Sequence, residues 1–139
     1  IKSSKIATLL ICAGAIPFIL LTVLAAYNVD YNYFEPKVAL KSYALAIGSF
    51  VCGSHWGMYL IKSSSINLLI TSNICTLALW VVFLYLKNYE LFFSIIFSLL
   101  LLIDFLLYKS SIISINYFSI RIIITLIVVL CLVFNFVFN

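Results

Sequence analysis

Apolar residues along this chain fall into five long runs that are separated by short polar connections. The runs cover roughly residues 6–27, 38–61, 66–86, 91–108 and 118–138. A helix of about 20 residues, rising 1.5 Å per residue, crosses the ~30 Å hydrocarbon core of a bilayer. The pattern therefore predicts an all-α integral membrane protein, a bundle of five transmembrane helices with short loops. The bundle forms a single membrane domain over residues 1–139.

Composition supports the same class of protein. Of the 139 residues, 66% are hydrophobic and 9% are charged. A soluble domain of this length leaves too much of its surface in water to hide so many apolar side chains. The lipid bilayer is therefore the first expected partner. The net charge of +4 comes from basic residues scattered over the connections, so it predicts membrane topology and no nucleic-acid partner.

The positions of the basic residues predict an orientation. With five spans, one side of the membrane receives Lys2, Lys5, Lys62, Lys109 and Arg121, and the other receives Lys37, Lys41 and Lys87. Basic residues accumulate on the cytoplasmic side of bacterial membranes, and on the matrix side in mitochondria. We therefore expect a multi-pass protein of an inner membrane, bacterial or mitochondrial, with its N-terminus on the cytoplasmic or matrix side.

Small residues and one proline indicate where helices pack closely. Pro17 interrupts the helix hydrogen bonds in the middle of span one, which predicts a kink, and Gly14 precedes it by one turn. In span two, Gly48 lies on the predicted inward face. Gly53 and Gly57 form a GxxxG pair on a neighbouring face, a spacing that allows close contact between helices. We interpret all five as helix-packing positions.

One face of span two is small or polar along its whole length. Its members follow one another at steps of three or four residues: Lys41, Ala44, Gly48, Cys52, His55, Tyr59 and Lys62. Such spacing puts residues on one side of a helix, and a polar side belongs inside a bundle. His55, the one histidine, is either hydrogen-bonded structurally or functional, since ionisable groups in membranes face protein or water.

Two further sets of residues need an interpretation. They are the polar side chains of span three and the four cysteines, which are dispersed along the chain. Asn73, Thr76 and Trp80 are predicted to make hydrogen bonds between helices. Cys12, Cys52, Cys75 and Cys131 form no CxxC pair, and we interpret them as small core residues. A lone histidine excludes bis-His haem, and the ligands for a metal site are too few. The sequence thus predicts no catalytic residues, no metal and no cofactor.

Three ionisable residues from three spans are expected at the same depth. His55 lies about 10 Å from the Lys62 end of its helix, and Asp104 lies about 7 Å from Lys109. Arg121 opens span five on the same side. A carboxylate in hydrocarbon needs a partner, and a guanidinium fork matches it in shape. We predict that Asp104 pairs with Arg121, with His55 and Trp56 nearby.

This cluster has two interpretations. It is either an ion pair that fixes the register of the helices, or a polar pocket open to the inner face that binds a headgroup, a quinone or a proton. The residue types and their spacing leave both open.

The stretch from Tyr43 to Gly57 resembles the signature of a family of small multi-span inner-membrane proteins whose mitochondrial members are called transmembrane protein 69. The matching residues are Tyr43, Ala44 and Leu45, then Ser49 and Phe50, then Gly53, Ser54, His55, Trp56 and Gly57. Similar matches come from Gly14 to Phe18, from Asp104, and from Tyr117 with Arg121, Ile122 and Thr125. The resemblance implies a five-span bundle in an inner membrane, and it implies no established activity.

Two classes of function are compatible with these features. The first is a non-catalytic accessory or assembly subunit of a larger inner-membrane complex, such as one of the respiratory chain, with other membrane subunits as partners. The second is a small transporter or a lipid- or quinone-binding protein that uses the His55, Asp104 and Arg121 pocket. Short loops and the lack of a catalytic motif favour the first. No inverted repeat is visible to support a transporter.

Overall fold

The computed structural model describes residues 2–27, 35–62 and 67–138, with side chains from residue 5 onward. Five helices account for almost all of these ranges, and no strand occurs within them: α1 Lys2–Ala26, α2 Pro36–Ile61, α3 Leu68–Tyr85, α4 Tyr89–Lys109 and α5 Ile115–Phe138. All five are long and apolar enough to cross a membrane. The predicted all-α, five-helix class is confirmed. Residue 66, where span three was predicted to begin, lies outside the described ranges.

The starts of three helices follow from local sequence. Pro36 opens α2, where its missing N–H costs nothing because the first amides of a helix have no intrahelical partner. The Asn67 side chain caps α3 by accepting from the amides of Leu69 and Ile70, at 3.1 and 3.4 Å. Ser114 caps α5 through a 3.2 Å bond from the Tyr117 amide to its hydroxyl.

Helix α4 stops at a left-handed residue. Ser111 has a φ of 61°, which turns the chain away from the helix axis. The amide of Ile112 then reaches back to the Leu107 carbonyl at 3.0 Å. This closure makes the connection to α5 short and brings the end of α4 beside the beginning of α5.

The helices form a closed ring. Each packs against its neighbour in sequence, and α1 also packs against α5. Contacts between α2 and α4 cross the ring. A core of buried side chains from all five helices fills the centre, and its fully buried members include Phe18, Leu40, Leu79, Phe93, Leu100 and Leu132. The inward faces of α2, α4 and α5 therefore contact one another. The polar residues described below lie at this contact.

Helix α1 runs continuously through Pro17 and is fixed to α2 by a hydrogen bond. The Tyr43 hydroxyl donates to the Gly14 carbonyl at 2.7 Å. The ring of Tyr43 also contacts that of Phe18 edge to face, with centroids 5.0 Å apart. Gly14 thus serves the contact between α1 and α2 through its carbonyl group.

Candidate functional site: a His–Asp–Arg cluster between three helices

Near one end of the bundle, three helices bring an ionisable side chain each to a common point in the interior. His55 lies on the buried face of α2 together with Ala44, Gly48 and Cys52. Asp104 lies on the buried face of α4, one turn before its end. Arg121 lies on the face of α5 whose residues follow one another at steps of three or four. That face is buried along the whole helix. We call these three residues the His–Asp–Arg cluster.

The carboxylate of Asp104 bridges the other two side chains. Its Oδ1 lies 2.8 Å from His55 Nε2, and its Oδ2 accepts from Arg121 Nε at 2.9 Å. The exposed fractions of the three residues are 1% for His55, 0% for Asp104 and 7% for Arg121. The contact between Asp104 and Arg121 is the one that helix face and depth predict. Because an ionised carboxylate only accepts, Nε2 is the protonated nitrogen of His55 in this arrangement.

This geometry joins α2, α4 and α5 at one level of the bundle. Charge-assisted hydrogen bonds are stronger than neutral ones, and the enclosure removes the water that would screen them. Loss of one partner from a buried pair costs about 3–5 kcal/mol, since it leaves a charge uncompensated. The cluster can therefore hold three helices in a single register.

Some polar atoms of the cluster have no hydrogen-bond partner among the described residues. They are His55 Nδ1 and Arg121 Nη2, and Thr125 Oγ1 lies one turn further along α5 in the same condition. Nη2 is a donor, and Nδ1 carries a lone pair when the ring is neutral and Nε2 holds its proton. The cluster thus retains two buried nitrogens that have no hydrogen-bond partner among the described residues.

Trp56 is part of a different surface. Its side chain is 40% exposed and lines a groove between α2 and α3 that faces away from the bundle. The groove has a volume of about 330 Å³, and its walls are Ser49, Cys52, Gly53, Trp56, Ser72, Asn73 and Thr76. We call it the α2–α3 groove. Adjacent positions on a helix point about 100° apart, so His55 faces inward while Trp56 faces the groove.

The hydroxyl groups of α3 donate to carbonyls of their own helix. Thr76 donates to the Ser72 carbonyl of its own helix at 2.9 Å, and Ser72 donates to the Leu69 carbonyl. Asn73 and Trp80 are exposed on the outside. Thr76 therefore bonds to the carbonyl one turn back within its own helix and also interacts with the Cys52 thiol of α2, so the expected contact between helices is present for Thr76 and is not found for Asn73 or Trp80 among the described residues.

The glycines of α2 differ in their surroundings. A Cβ at Gly48 would lie 2.6 Å from Leu79 Cδ1, so the absence of a side chain there lets α3 approach α2. A Cβ at Gly53 or Gly57 would meet no atom within 4 Å. Their role in helix packing stays a prediction, and any helix that contacts them comes from outside the described residues.

A second polar cluster lies at the other end of the same three helices. Asn135 Nδ2 donates to Glu90 Oε1 at 3.0 Å and to the Tyr89 hydroxyl at 3.3 Å. The ammonium of Lys41 lies 5.4 Å from the centre of the Tyr89 ring, within cation–π distance. We call Glu90, Tyr89, Asn135 and Lys41 the Glu–Asn cluster. Asn135 is fully buried, and Glu90 is 9% exposed.

The hydropathy pattern does not predict the Glu–Asn cluster, because the fourth apolar run starts at residue 91 and leaves Glu90 in the connection before it. Helix α4 begins at Tyr89, two residues earlier than the apolar run suggests, and this puts Glu90 in the first helical turn. An acidic residue is favoured there by the helix dipole. The spacing of polar residues could have indicated this cluster. Glu90 precedes Asp104 by fourteen residues, and Arg121 precedes Asn135 by fourteen.

The cysteines are all free thiols. Cys52 is buried and Cys75 and Cys131 are partly buried, whereas Cys12 is exposed on the outer surface of α1. The prediction of a core position is therefore wrong for Cys12, which points away from the helices that flank α1. Within the described ranges, no three His, Cys, Asp or Glu side chains are grouped so that they could hold a metal ion.

Five apolar helices around an enclosed ion-pair cluster define a multi-pass helical membrane protein. Over residues 3–137 the chain matches the family described as "protein of unknown function (DUF3429)", and it belongs to that family. Comparison with curated proteins and with solved structures returned no match.

Proposed function

We propose that this protein is a non-catalytic accessory or assembly subunit of a larger inner-membrane complex, such as one of the respiratory chain. The observation that carries the proposal is a contrast between an enclosed polar cluster and an open polar groove. The ionisable side chains of the His–Asp–Arg cluster are enclosed and bonded to one another. The α2–α3 groove instead presents polar groups to the outside at membrane depth, where lipid tails cannot bond to them.

An inner-membrane location and an orientation belong to the same proposal. The resemblance to the transmembrane protein 69 family supports an inner membrane, mitochondrial or bacterial. The excess of basic residues at the ends that carry Lys5, Lys62 and Lys109 supports an N-terminus on the matrix or cytoplasmic side.

Native electrophoresis in a mild detergent, followed by mass spectrometry of the band that holds this chain, tests the proposal. We expect migration with several other membrane subunits at a mass far above that of the 15.7 kDa chain. A harsher detergent, which separates subunits, serves as the control for co-migration by chance. Migration of the chain alone, or as a small homo-oligomer, would contradict the proposal.

A second candidate function is favoured by one specific observation, the unpartnered His55 Nδ1 and Arg121 Nη2. Arg121 Nη2 can donate to the polar end of a quinone or a lipid headgroup, and His55 Nδ1 can accept from it when the ring is neutral; a small transporter could use the same two atoms. His55→Ala and Asp104→Asn would then abolish ligand binding or transport in reconstituted vesicles. Leu126→Ala, on the exposed face of α5, is the matched control. Unchanged binding in the first two variants would exclude this function.

A further inference from the structure

We propose that the α2–α3 groove docks one transmembrane helix of a different chain, a helix that brings a hydrogen-bonding side chain to Asn73 and small residues to Gly53 and Gly57. The inference rests on the proposed function and specifies the surface and chemistry by which the complex forms.

The amide of Asn73 is the first reason. It is exposed on α3, five residues after Leu68 and so about 7 Å into the helix, and no hydrogen bond joins it to the residues that the structure describes. A side chain this short cannot reach the headgroups from that depth. A bare amide in hydrocarbon is unfavourable, and polar residues in transmembrane helices typically bond across to another helix.

The two glycines are the second reason. A contact within the chain accounts for the glycine at position 48, because Leu79 occupies the space that a side chain would need. Gly53, which is exposed, and Gly57, which is half-buried, lie on the same helix but have no such neighbour. Glycine costs helix stability relative to alanine, so two glycines at a GxxxG spacing on an open face suit the close approach of another backbone.

The charge of the surface restricts the partner. Helix α3 contains no Asp, Glu, Lys or Arg, and between Lys41 and Lys62 the ionisable His55 is turned inward. A charged helix would lack a counter-charge here. The partner is therefore an apolar helix with an uncharged polar side chain, of the Asn, Gln, Ser or Thr kind, opposite Asn73.

The shape of the surface favours a different chain over a second copy. A two-fold dimer through this surface would set groove against groove. Two facing hollows of about 330 Å³ leave a void, whereas the convex side of a single helix fills one. Trp56, which is exposed, supplies an apolar wall for that helix.

Site-specific photo-crosslinking in native membranes tests the proposal. A photoreactive residue replaces Leu77, which is exposed one turn beyond Asn73 on α3, or in the control it replaces Leu126, which is equally exposed on α5. We expect the probe at position 77 to capture one other membrane protein, through a peptide from one of its transmembrane helices. Asn73→Leu should reduce that yield by about tenfold, the equivalent of losing one interhelical hydrogen bond, and Asn73→Gln should retain it.

Gly53→Leu provides a second variant that blocks docking without disturbing the chain, because no atom lies within 4 Å of its Cβ position. Equal thermal stability of this variant and the unchanged protein in detergent verifies that folding is intact. We expect it to lose the crosslink at position 77.

The outcomes separate the inference from the proposed function. If the chain migrates in a large complex but only position 126 crosslinks to protein, the docking surface is wrong and the function stands. Capture of a second copy of this chain, or of lipid alone, at position 77 overturns the inference. Migration of the chain alone in the native gel overturns the proposed function and the inference together.

Discussion

Asp104 uses both carboxylate oxygens at once, one toward His55 and one toward Arg121. Neither partner can replace the other, because the two side chains come from different helices and contact different oxygens. The residue therefore acts as the common point through which α2, α4 and α5 are joined.

Arg121→Leu should lower the free energy of unfolding by about 3–5 kcal/mol, because it leaves the buried Asp104 carboxylate without its permanent positive charge. Thermal unfolding in detergent, followed by circular dichroism, measures the effect. Lys109→Leu is the matched control, since Lys109 is an exposed cation at the same end whose contact with the Phe105 ring, at 5.0 Å, contributes roughly 0.5–1 kcal/mol.

Replacing all three members of the cluster by leucine should recover much of that loss, since a buried ion pair is often no more stabilising than apolar side chains of similar volume. A triple variant as unstable as Arg121→Leu would contradict an ion-pairing role and point to packing instead.

Gly48→Val should destabilise the isolated chain by about 1–3 kcal/mol, the usual cost of overpacking, because Leu79 is fully buried and cannot move aside freely. The same substitution at Gly53, which has open space around it, should have a much smaller effect. Adding Leu79→Ala to Gly48→Val should restore part of the stability. Equal melting temperatures for the two valine variants would show that α3 does not pack as described.

Residue-level prediction from the sequence succeeded where depth and helix face together determine a contact. Asp104 and Arg121 could be paired because both are too costly to leave in lipid and both lie near the same end. The acceptor of the Thr76 hydroxyl could not be predicted, since a carbonyl of its own helix is available to it. The direction of Trp56 depended on which side of α2 is covered by α3, and that depends on the whole bundle.

At the scale of the helices, polar residues recur in pairs at one spacing. Lys41 and His55 on α2, Glu90 and Asp104 on α4, and Arg121 and Asn135 on α5 are each fourteen residues apart. Fourteen residues are close to four turns and rise about 21 Å, so each pair lies on one face at two depths. A helix that slipped by one turn would break its contacts in both clusters together, and this double penalty specifies the register.

Asn135→Leu should loosen the Glu–Asn end of the bundle and leave the other end unchanged. The variant removes the amide that donates to Glu90 and Tyr89, at a cost of about 1–3 kcal/mol for the buried acceptor left behind. Hydrogen–deuterium exchange with peptide resolution should show faster exchange in the first turns of α4 and the last turns of α5. Thr125→Val, in the middle of α5, is the control. Uniform acceleration along α5 would contradict a local role.

Helix number and order could be predicted because a run of about 20 apolar residues has few alternatives in a bilayer. The residues at which the helices begin and end were harder to predict. Tyr89 and Glu90 are polar enough to suggest a turn, yet helix geometry continues through them because their side chains bond to Asn135. A hydropathy pattern does not contain that tertiary contact.

At the scale of the whole molecule, an odd number of spans puts the two ends on opposite sides of the membrane. Single cysteines at Lys5 and Lys87, in a chain whose own cysteines are replaced, report the orientation. A membrane-impermeant maleimide added to intact inner-membrane vesicles of known orientation, or to mitoplasts, should label position 87 from the outer side. Position 5 should react only after permeabilisation, as should a cysteine at Lys62. The opposite pattern would reverse the orientation that the basic residues favour.

The unequal lengths of neighbouring helices have a consequence for the surrounding lipid. Helix α3 has 18 residues, which span about 27 Å, whereas α2 has 26 and spans about 39 Å. A hydrocarbon layer of ~30 Å must thin beside α3, while α2 accommodates it by tilting. Acyl chains compressed along one side of the molecule store elastic energy that is released when protein replaces them. The edge that carries the α2–α3 groove is thus the edge that the bilayer covers least favourably.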